Sequence, residues 1–212
     1  MGFSTLLDIL GSTIVGGLLL MILLRMNDTA VENNYLFSGE KIVQQNLVDL
    51  VQLIEYDFRK IGYCANWTSI PDPAKAILNA TDTSITFLTD VAVSQSNLEG
   101  DGNPDTLKYF LGSKSELTST PNPNDRILYR VVNNQPVKGS NLGVTQFKLT
   151  YYDALGDTLK PSEMPSEPPL GISTIQIDVA VENPAAYGND YSAEKRVIWR
   201  QIRLAARNLK TR

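Results

Sequence analysis

GFSTLLDILGSTIVGGLLLMILL, residues Gly2–Leu24, is the stretch that decides the fold. Its part from Leu6 to Leu24 is almost entirely apolar, and as a helix it spans about 28 Å at roughly 1.5 Å per residue. That length matches the roughly 30 Å hydrocarbon core of a bilayer. A removable secretory signal starts with Lys or Arg, whereas neither precedes Arg25. We therefore expect a retained helix that enters a membrane or an apolar filament core, with a lone membrane anchor as the alternative.

Two features of this stretch are unusual for a plain anchor. Asp8 places an acid ahead of the longest apolar run, and a carboxylate is costly in apolar surroundings unless it is paired. Gly11, Gly16 and Gly17 lie inside the run, and small residues allow helices to approach closely. The sequence therefore predicts that this helix packs against other helices.

A second helical pattern follows a polar joint, Met26–Asn34. Apolar residues recur there at spacings of three and four, which is the stripe of an amphipathic helix that faces a core: Val43, Leu47, Leu50, Ile54, Phe58 and Ile61. Arg59 and Lys60 suit the negative end of a helix, and Gly62 is a candidate C-cap. The pattern predicts a helix with one buried face.

The rest of the chain, residues 63–212, is predicted to be a strand-rich head. Segments with β-strand patterning follow one another: Ser84–Thr89, Leu107–Leu111, Ile127–Val132, Val144–Tyr152, Ile172–Val181 and Lys195–Ala205. The stretch Lys160–Gly171 contains four prolines and is expected to be an exposed loop. We predict an α+β protein in which a spine helix packs on one mostly antiparallel sheet. Its two halves are residues 1–25, in a membrane or filament core, and the amphipathic residues 26–62.

Charge is divided unevenly along the chain. Acids outnumber basic residues up to Ala193, whereas residues 194–212 contain seven Lys and Arg and one acid. Because the basic residues alternate with apolar ones, they predict a strand with one charged face and not a nucleic-acid site. Arg200, Arg203 and Arg207 are thus candidates for head-to-head contacts with acidic surfaces of neighbouring copies. Alternatively, they neutralise acidic loops of their own head.

Composition also restricts the chemistry. The chain has no histidine, which removes His-dependent triads and His-containing zinc sites. Its single cysteine, Cys64, cannot form a disulfide within the chain and is expected to be a small buried hydrophobe. No phosphate loop or nucleophile motif stands out, so we expect neither enzyme activity nor a cofactor. A membrane-tethered hydrolase that uses Asp or Ser is a distant alternative.

One acidic segment resembles a calcium loop. Residues 99–105, EGDGNPD, place oxygen-bearing side chains at alternate positions, and the candidate ligands are Glu99, Asp101, Asn103 and Asp105. The twelfth position counted from Asp101 is Gly112, not the Glu that closes an EF-hand loop. A plain acidic turn between two strands is the favoured interpretation.

Three triplets fit the N-glycosylation sequon: Asn27-Asp28-Thr29, Asn66-Trp67-Thr68 and Asn79-Ala80-Thr81. Such triplets also arise by chance. The sequence leaves the modified and unmodified alternatives open.

Five short stretches, in order along the chain, carry a family resemblance. GFSTLL (residues 2–7) places a Gly before a Phe, and EYDFRKIGY (55–63) closes the amphipathic pattern with an acid, an Arg, a Gly and an aromatic. Further on come GVTQF (143–147) with YYDALG (151–156), and then RNL (207–209). Together with a long helix ahead of a strand-rich head, these stretches resemble type IV pilins and type II secretion pseudopilins, most closely their larger minor subunits.

The resemblance implies a structural subunit that polymerises through its apolar helix into an extracellular or periplasmic filament. It implies processing after Gly2 and N-methylation of Phe3. It also implies residence in the inner membrane before assembly, and pilus or secretion assembly machinery as a partner. The rival interpretation is a monomeric, membrane-anchored β-rich domain that binds a ligand or calcium.

The resemblance also gives the spine residues specific roles. Asp8 would meet the amino terminus of a neighbouring subunit, and Gly11, Gly16 and Gly17 would lie at contacts between spine helices. Alternatively, Asp8 lies near the lipid headgroups or acts in the first helical turn beside the positive end of the helix.

Overall fold

A computed structural model describes residues 2–92, 99–120, 122–133, 135, 141–163, 169–182 and 197–209 of the chain. The chain divides into two compact units, Met1–Lys41 and Ile42–Arg212. The first helix, α1, extends over Gly2–Arg59 and contributes residues to both. Whether residue 25 marks the end of a membrane or filament-core half stays a prediction.

The first unit is helical throughout its described residues. Long unbranched side chains favour the helix, and hydroxyl side chains that could disturb it donate back to its own carbonyls. Thr13 Oγ1 donates to the Ile9 carbonyl at 2.7 Å, and Thr29 Oγ1 to the Arg25 carbonyl at 2.9 Å. The polar joint therefore continues the helix and does not interrupt it.

In the second unit, the predicted stripe of α1 is confirmed as a buried face. Every member of the stripe is buried, with Ile54 at 0% and Phe58 at 1% exposure. Val51, which the spacing pattern did not include, joins the same face. Because this part of the helix packs against two sheets, the buried face is wider than the single stripe that the spacing predicted.

The end of α1 is fixed by three neighbouring segments. After Arg59 the chain turns through Gly62, which has φ 73°, a conformation that favours glycine. The Gly62 N–H donates to the Leu88 carbonyl at 2.9 Å. The Asn208 side chain donates to the carbonyls of Arg59 and Ile61 at 3.3 and 3.2 Å. The predicted C-cap region is thus closed by β-sheet backbone and by the RNL motif.

Two antiparallel sheets of four strands follow α1, so the prediction of a single sheet was wrong. The first sheet has the order β1-β2-β3-β4 and the second β6-β5-β7-β8. The strands are β1 Ile77–Ala80, β2 Ser84–Thr89, β3 Asp105–Leu111, β4 Leu128–Val132, β5 Val144–Tyr152, β6 Thr158–Leu159, β7 Thr174–Glu182 and β8 Val197–Ala205. Strand patterning reports which residues alternate but not which strands pair, and β4 and β5 do not pair with each other.

The predicted strands are all present, with described ends within two residues of the predicted ones. The predicted start of the last strand, Lys195, lies outside the described residues. Two strands were missed because they carry little signal. β1 has a single buried residue, Ile77, and β6 is two residues long.

A chain of aromatic rings connects α1 with both sheets. Phe58 lies 5.4 Å from the ring of Phe87 on β2 and 5.6 Å from the ring of Tyr109 on β3. Tyr109 in turn lies 6.4 Å from the ring of Phe147 on β5. Such tilted and edge-on pairs stabilise beyond the area they bury. These side chains belong to one continuous apolar core.

One acid of α1 is buried in this core, a feature that sequence patterning did not predict. Asp57 is 3% exposed and pairs with Arg130 of β4, whose Nε lies 2.6 Å from one carboxylate oxygen and Nη2 3.1 Å from the other. The Tyr109 hydroxyl donates to the same carboxylate. A buried carboxylate needs such partners, and here they come from two strands of the first sheet.

We expect alkaline pH to destabilise the second unit through two buried tyrosines. Burial, and then the Asp57 charge, raises the pKa of Tyr109 well above its ordinary value of 10.0. Burial and then Asp82 raise the pKa of Tyr151. Both groups keep their proton in the folded state while the unfolded chain loses it. Their contribution to the free energy of unfolding is therefore full below about pH 10. It is lost progressively as the pH rises above that value toward the raised pKa of the folded state.

Chemical unfolding followed by circular dichroism between pH 8 and 11, with the chain in detergent micelles, tests this expectation. The free energy of unfolding should fall above about pH 10 by about 1.4 kcal/mol per pH unit for each tyrosine. Tyr109→Phe should remove one of these contributions. An unchanged slope in this variant would contradict the role of Tyr109.

Candidate assembly site

The apolar surface of the first unit has no cover within the described chain. Large apolar side chains from Phe3 to Met26 are 54–78% exposed. The most apolar window of α1 has a mean hydropathy of 2.2 and no buried share. By length and composition, α1 alone among the described helices could cross a membrane, a test that a signal sequence also passes.

Polar groups in this segment fall into two classes. Ser12 Oγ and Thr13 Oγ1 both donate to the Ile9 carbonyl, at 2.9 and 2.7 Å, so their hydroxyls carry their hydrogen bonds inside the helix. The Asp8 carboxylate is exposed and contacts no partner among the described residues. Of these groups, only Asp8 would require a partner from outside the chain if the segment entered an apolar environment.

No packing contact within the described part of the chain requires glycine at these positions of the segment. A Cβ added to Gly11, Gly16 or Gly17 would meet no atom within 4 Å. Each glycine costs roughly 0.5–1 kcal/mol of helix stability relative to Ala. Gly16 follows Ser12 by four positions and Gly17 follows Thr13 by four, the small-xxx-small spacing of closely packed helices. The spacing suits a second helix, although the chain itself supplies none at this surface within its described residues.

The acidic segment 99–105 joins β2 to β3, as predicted, and is organised by a buried carboxylate. Asp90, at 0% exposure, accepts hydrogen bonds from the N–H groups of Ala65, Asp101 and Gly102 at 3.1, 3.0 and 2.9 Å. A Cβ at Gly100 would lie 1.7 Å from an Asp90 oxygen, so only glycine fits there. The structure thus reveals Asp90, which the sequence did not single out, as the residue that closes this loop.

The four candidate calcium ligands do not converge within this loop. Asp101 accepts from the Asn103 N–H at 2.9 Å, and Asp105 accepts from the Val91 N–H at 2.9 Å. Lys60 Nζ reaches the Glu99 carbonyl at 3.5 Å. Within the described ranges, no group of three or more His, Cys, Asp or Glu residues could hold a metal ion. Calcium binding here stays a prediction.

Strand β8, which contains Arg200 and Arg203, lies at an edge of the second sheet among the described strands, and Arg207 follows it in a short 3₁₀ turn. β8 pairs only with β7 among the described strands, and Arg200, Arg203 and Arg207 are exposed. Arg203 is engaged within its own sheet, since it donates to Gln176 at 2.9 Å and lies 4.6 Å above the Tyr152 ring. Arg200 and Arg207 make no such contact among the described residues. A role of the three arginines in contacts between copies stays a prediction, and Arg203 already has an internal function.

The motifs that carried the family resemblance have structural roles in the second unit. Asp153 caps the turn between β5 and β6 by accepting from Leu155 and Asp157 at 2.9 and 2.8 Å. Gly143 has φ 73°, and a Cβ there would lie 2.7 Å from the Glu182 carbonyl. The stretch YYDALG (151–156) thus forms a β-hairpin with β5 and β6 as its strands.

Comparison with known proteins finds similarity in structure and not in sequence. No family model matches the chain, and neither does any curated protein sequence. Among solved structures, the chain is similar to a type IV-like pilin from Thermus thermophilus, with a TM-score of 0.46 and 10% sequence identity. The similarity covers 79% of this chain and 98% of that one. The likeness concerns the fold alone.

Proposed function

We propose that this chain is a pilin-like structural subunit that polymerises through the apolar part of α1 into a filament outside the inner membrane. The observation that carries the proposal is the uncovered apolar surface from Phe3 to Met26. Burying a single large apolar side chain contributes about 1.5–3 kcal/mol. A surface of this size therefore needs a lasting apolar environment.

Two environments can supply it: a lipid bilayer, or the same helix in other copies. Gly11, Gly16 and Gly17 favour the second, because they weaken an isolated helix and allow helices to approach closely. Asp8 favours it as well, because lipid chains offer no partner to a carboxylate, whereas a neighbouring chain brings an amino terminus. We infer that the segment resides in the inner membrane first and then passes into the filament, with assembly machinery as a partner.

The proposal includes maturation of the amino terminus. Cleavage after Gly2 would leave Phe3 with a free amine, and its methylation would keep the positive charge. That amine is the group that Asp8 of a neighbouring copy would pair with, which would fix the axial register between subunits. The proposed role is structural, and the absence of histidine fits a protein without proton-shuttle chemistry.

The rival function is a monomeric anchored domain, for which α1 would only tether the rest of the chain to the membrane. Electron microscopy of surface material sheared from the source organism separates the two. Filaments that contain this chain support polymerisation. Recovery of the chain solely as a membrane-bound monomer would support the rival.

Gly16→Leu should block assembly while the chain still inserts into the membrane. The added side chain holds neighbouring helices apart, yet leucine suits a lipid environment better than glycine. Leu19→Ile, in the same segment, keeps the volume and is the control. Membrane fractionation and filament yield are the two measurements, and normal filaments from Gly16→Leu would refute close packing at this position.

Asp8→Ala should insert into the membrane but enter filaments poorly, whereas Asp8→Glu should be far milder because it retains the charge. Competition between variant and parent chains in one cell, with the filament composition measured by mass spectrometry, compares them directly. Equal incorporation of Asp8→Ala and the parent would show that the acid has no partner in the filament.

Charge reversal at Arg200 and Arg207 should loosen contacts between neighbouring heads without dissolving the filament. Exposed ion pairs contribute about 0.2–1 kcal/mol each, and screening shortens their range from about 10 Å at 0.1 M salt to about 3 Å at 1 M. Reversal of Arg203 should also disturb its own sheet, because it breaks the contacts with Gln176 and Tyr152.

Protease resistance of filaments at low and high salt is the measurement for this charge effect. The parent should lose resistance at high salt, and the Arg200→Glu, Arg207→Glu chain should start low and change little. If both chains respond to salt alike, the basic strand only balances its own head.

A further inference from the structure

The three sequons lie in three different structural settings. Asn27 lies on α1, Asn79 lies on strand β1, and Asn66 lies in the loop that follows α1. N-glycosylation joins a bulky sugar to the Asn side-chain amide, and its acceptor sites lie in surface loops. The structure therefore discriminates between triplets that the sequence leaves equal.

In two of the sequons, the Thr hydroxyl is hydrogen-bonded to backbone groups of a helix or a turn. Thr29 Oγ1 donates to the Arg25 carbonyl within α1 at 2.9 Å. Thr81 Oγ1 donates to the Ser84 carbonyl at 3.1 Å and accepts from the Ser84 N–H at 2.9 Å, which closes the turn between β1 and β2. The asparagines of both triplets have backbones fixed in a helix or a paired strand.

The third sequon is arranged differently. Asn66, Trp67 and Thr68 are all exposed, and Asn66 begins a single 3₁₀ turn. Asn66 Oδ1 accepts from the Thr68 hydroxyl at 2.7 Å and from the Thr68 N–H at 3.3 Å. The Asn66 amide nitrogen makes no hydrogen bond within the described chain. Here the hydroxyl of the sequon contacts its own asparagine, and the reacting nitrogen is exposed.

We infer that Asn66 is an N-glycosylation site. The donor is an oligosaccharide linked through phosphate to a polyprenyl lipid. The Asn66 amide nitrogen forms a bond to the anomeric carbon, and the bond from that carbon to the phosphate oxygen breaks. The lipid phosphate leaves with the electron pair, and the amide proton passes to a base of the transferase. This inference rests on the proposed function, which exports the residues after α1 to the side of the membrane where such transfers occur.

The fold accommodates this modification without rearrangement. The hydrogen bonds that start the 3₁₀ turn use Oδ1, so a sugar on the amide nitrogen leaves them in place. The Asn66 Cβ lies beside Gly102, where an added Cβ would be 3.3 Å from it. The glycan would leave the surface next to Trp67, an indole that is 65% exposed. It would cover part of this exposed indole.

The test uses the chain recovered from its source organism, because a host without the transferase cannot modify it. Intact mass should exceed the mass of the mature chain, which begins at methylated Phe3 under the proposed function, by a glycan. Fragmentation of the peptide that contains Asn66 should place the sugar on that residue. Asn66→Gln should lose the added mass, and so should Thr68→Ala, which keeps the asparagine. Thr68→Ser should retain it, and Asn79→Gln is the matched control that should leave the added mass unchanged.

Three outcomes would overturn the inference: an unmodified Asn66 peptide, a sugar on Asn27 or Asn79 instead, or a sugar on Thr68 that mild alkali releases. The result is independent of filament assembly. Filaments built from an unmodified chain would refute the glycosylation alone. A glycosylated chain that remains monomeric would refute polymerisation alone.

Discussion

The second unit depends on the burial of one face of α1 against two sheets that do not pair with each other. Ile54 and Phe58 are almost completely buried, and the ring of Phe58 contacts aromatic residues of β2 and β3. Without this face, each four-stranded sheet would leave its apolar side exposed to water, at about 25 cal/mol for each Å². The buried Asp57 accepts hydrogen bonds from Arg130 and Tyr109, and these bonds are directional whereas the surrounding apolar contacts are not.

The same hydrophobic effect acts on the first unit, where the chain provides no partner for it within the described residues. Within Leu6–Leu24 the helix satisfies its own hydroxyl groups, so this stretch offers other molecules an apolar surface, three glycines and one carboxylate. This combination fits a helix that must be stable in lipid and then pack closely with copies of itself. The proposed function therefore rests on the apolar surface, the glycines and the carboxylate of this helix. The second unit provides a stably folded surface.

Local patterning predicted much of this structure, because burial imposes a period on the sequence. The sequence predicted the stripe from Val43 to Ile61 and the span of β5 directly. The apolar residues of the stripe recur with the period of a helix, and those of β5 alternate as in a strand. The division into two sheets could not, because it depends on which strands pair over long distances. The burial of Asp57 and Asp90 could not be read either, since their partners lie far away in sequence. At the candidate assembly site, Asp8 and the glycines were recognisable from composition, but their proposed partners belong to another copy.

The central claim is that Leu6–Leu24 packs against the same segment of other copies. Cryo-electron microscopy of sheared surface filaments, with this chain identified in them by mass spectrometry, tests it most directly. We expect helical order, with these segments in contact at Gly16 and Gly17 and with Asp8 beside a neighbouring amino terminus. Filaments in which this segment contacts no other copy, or a chain found only as a lipid-embedded monomer, would contradict it.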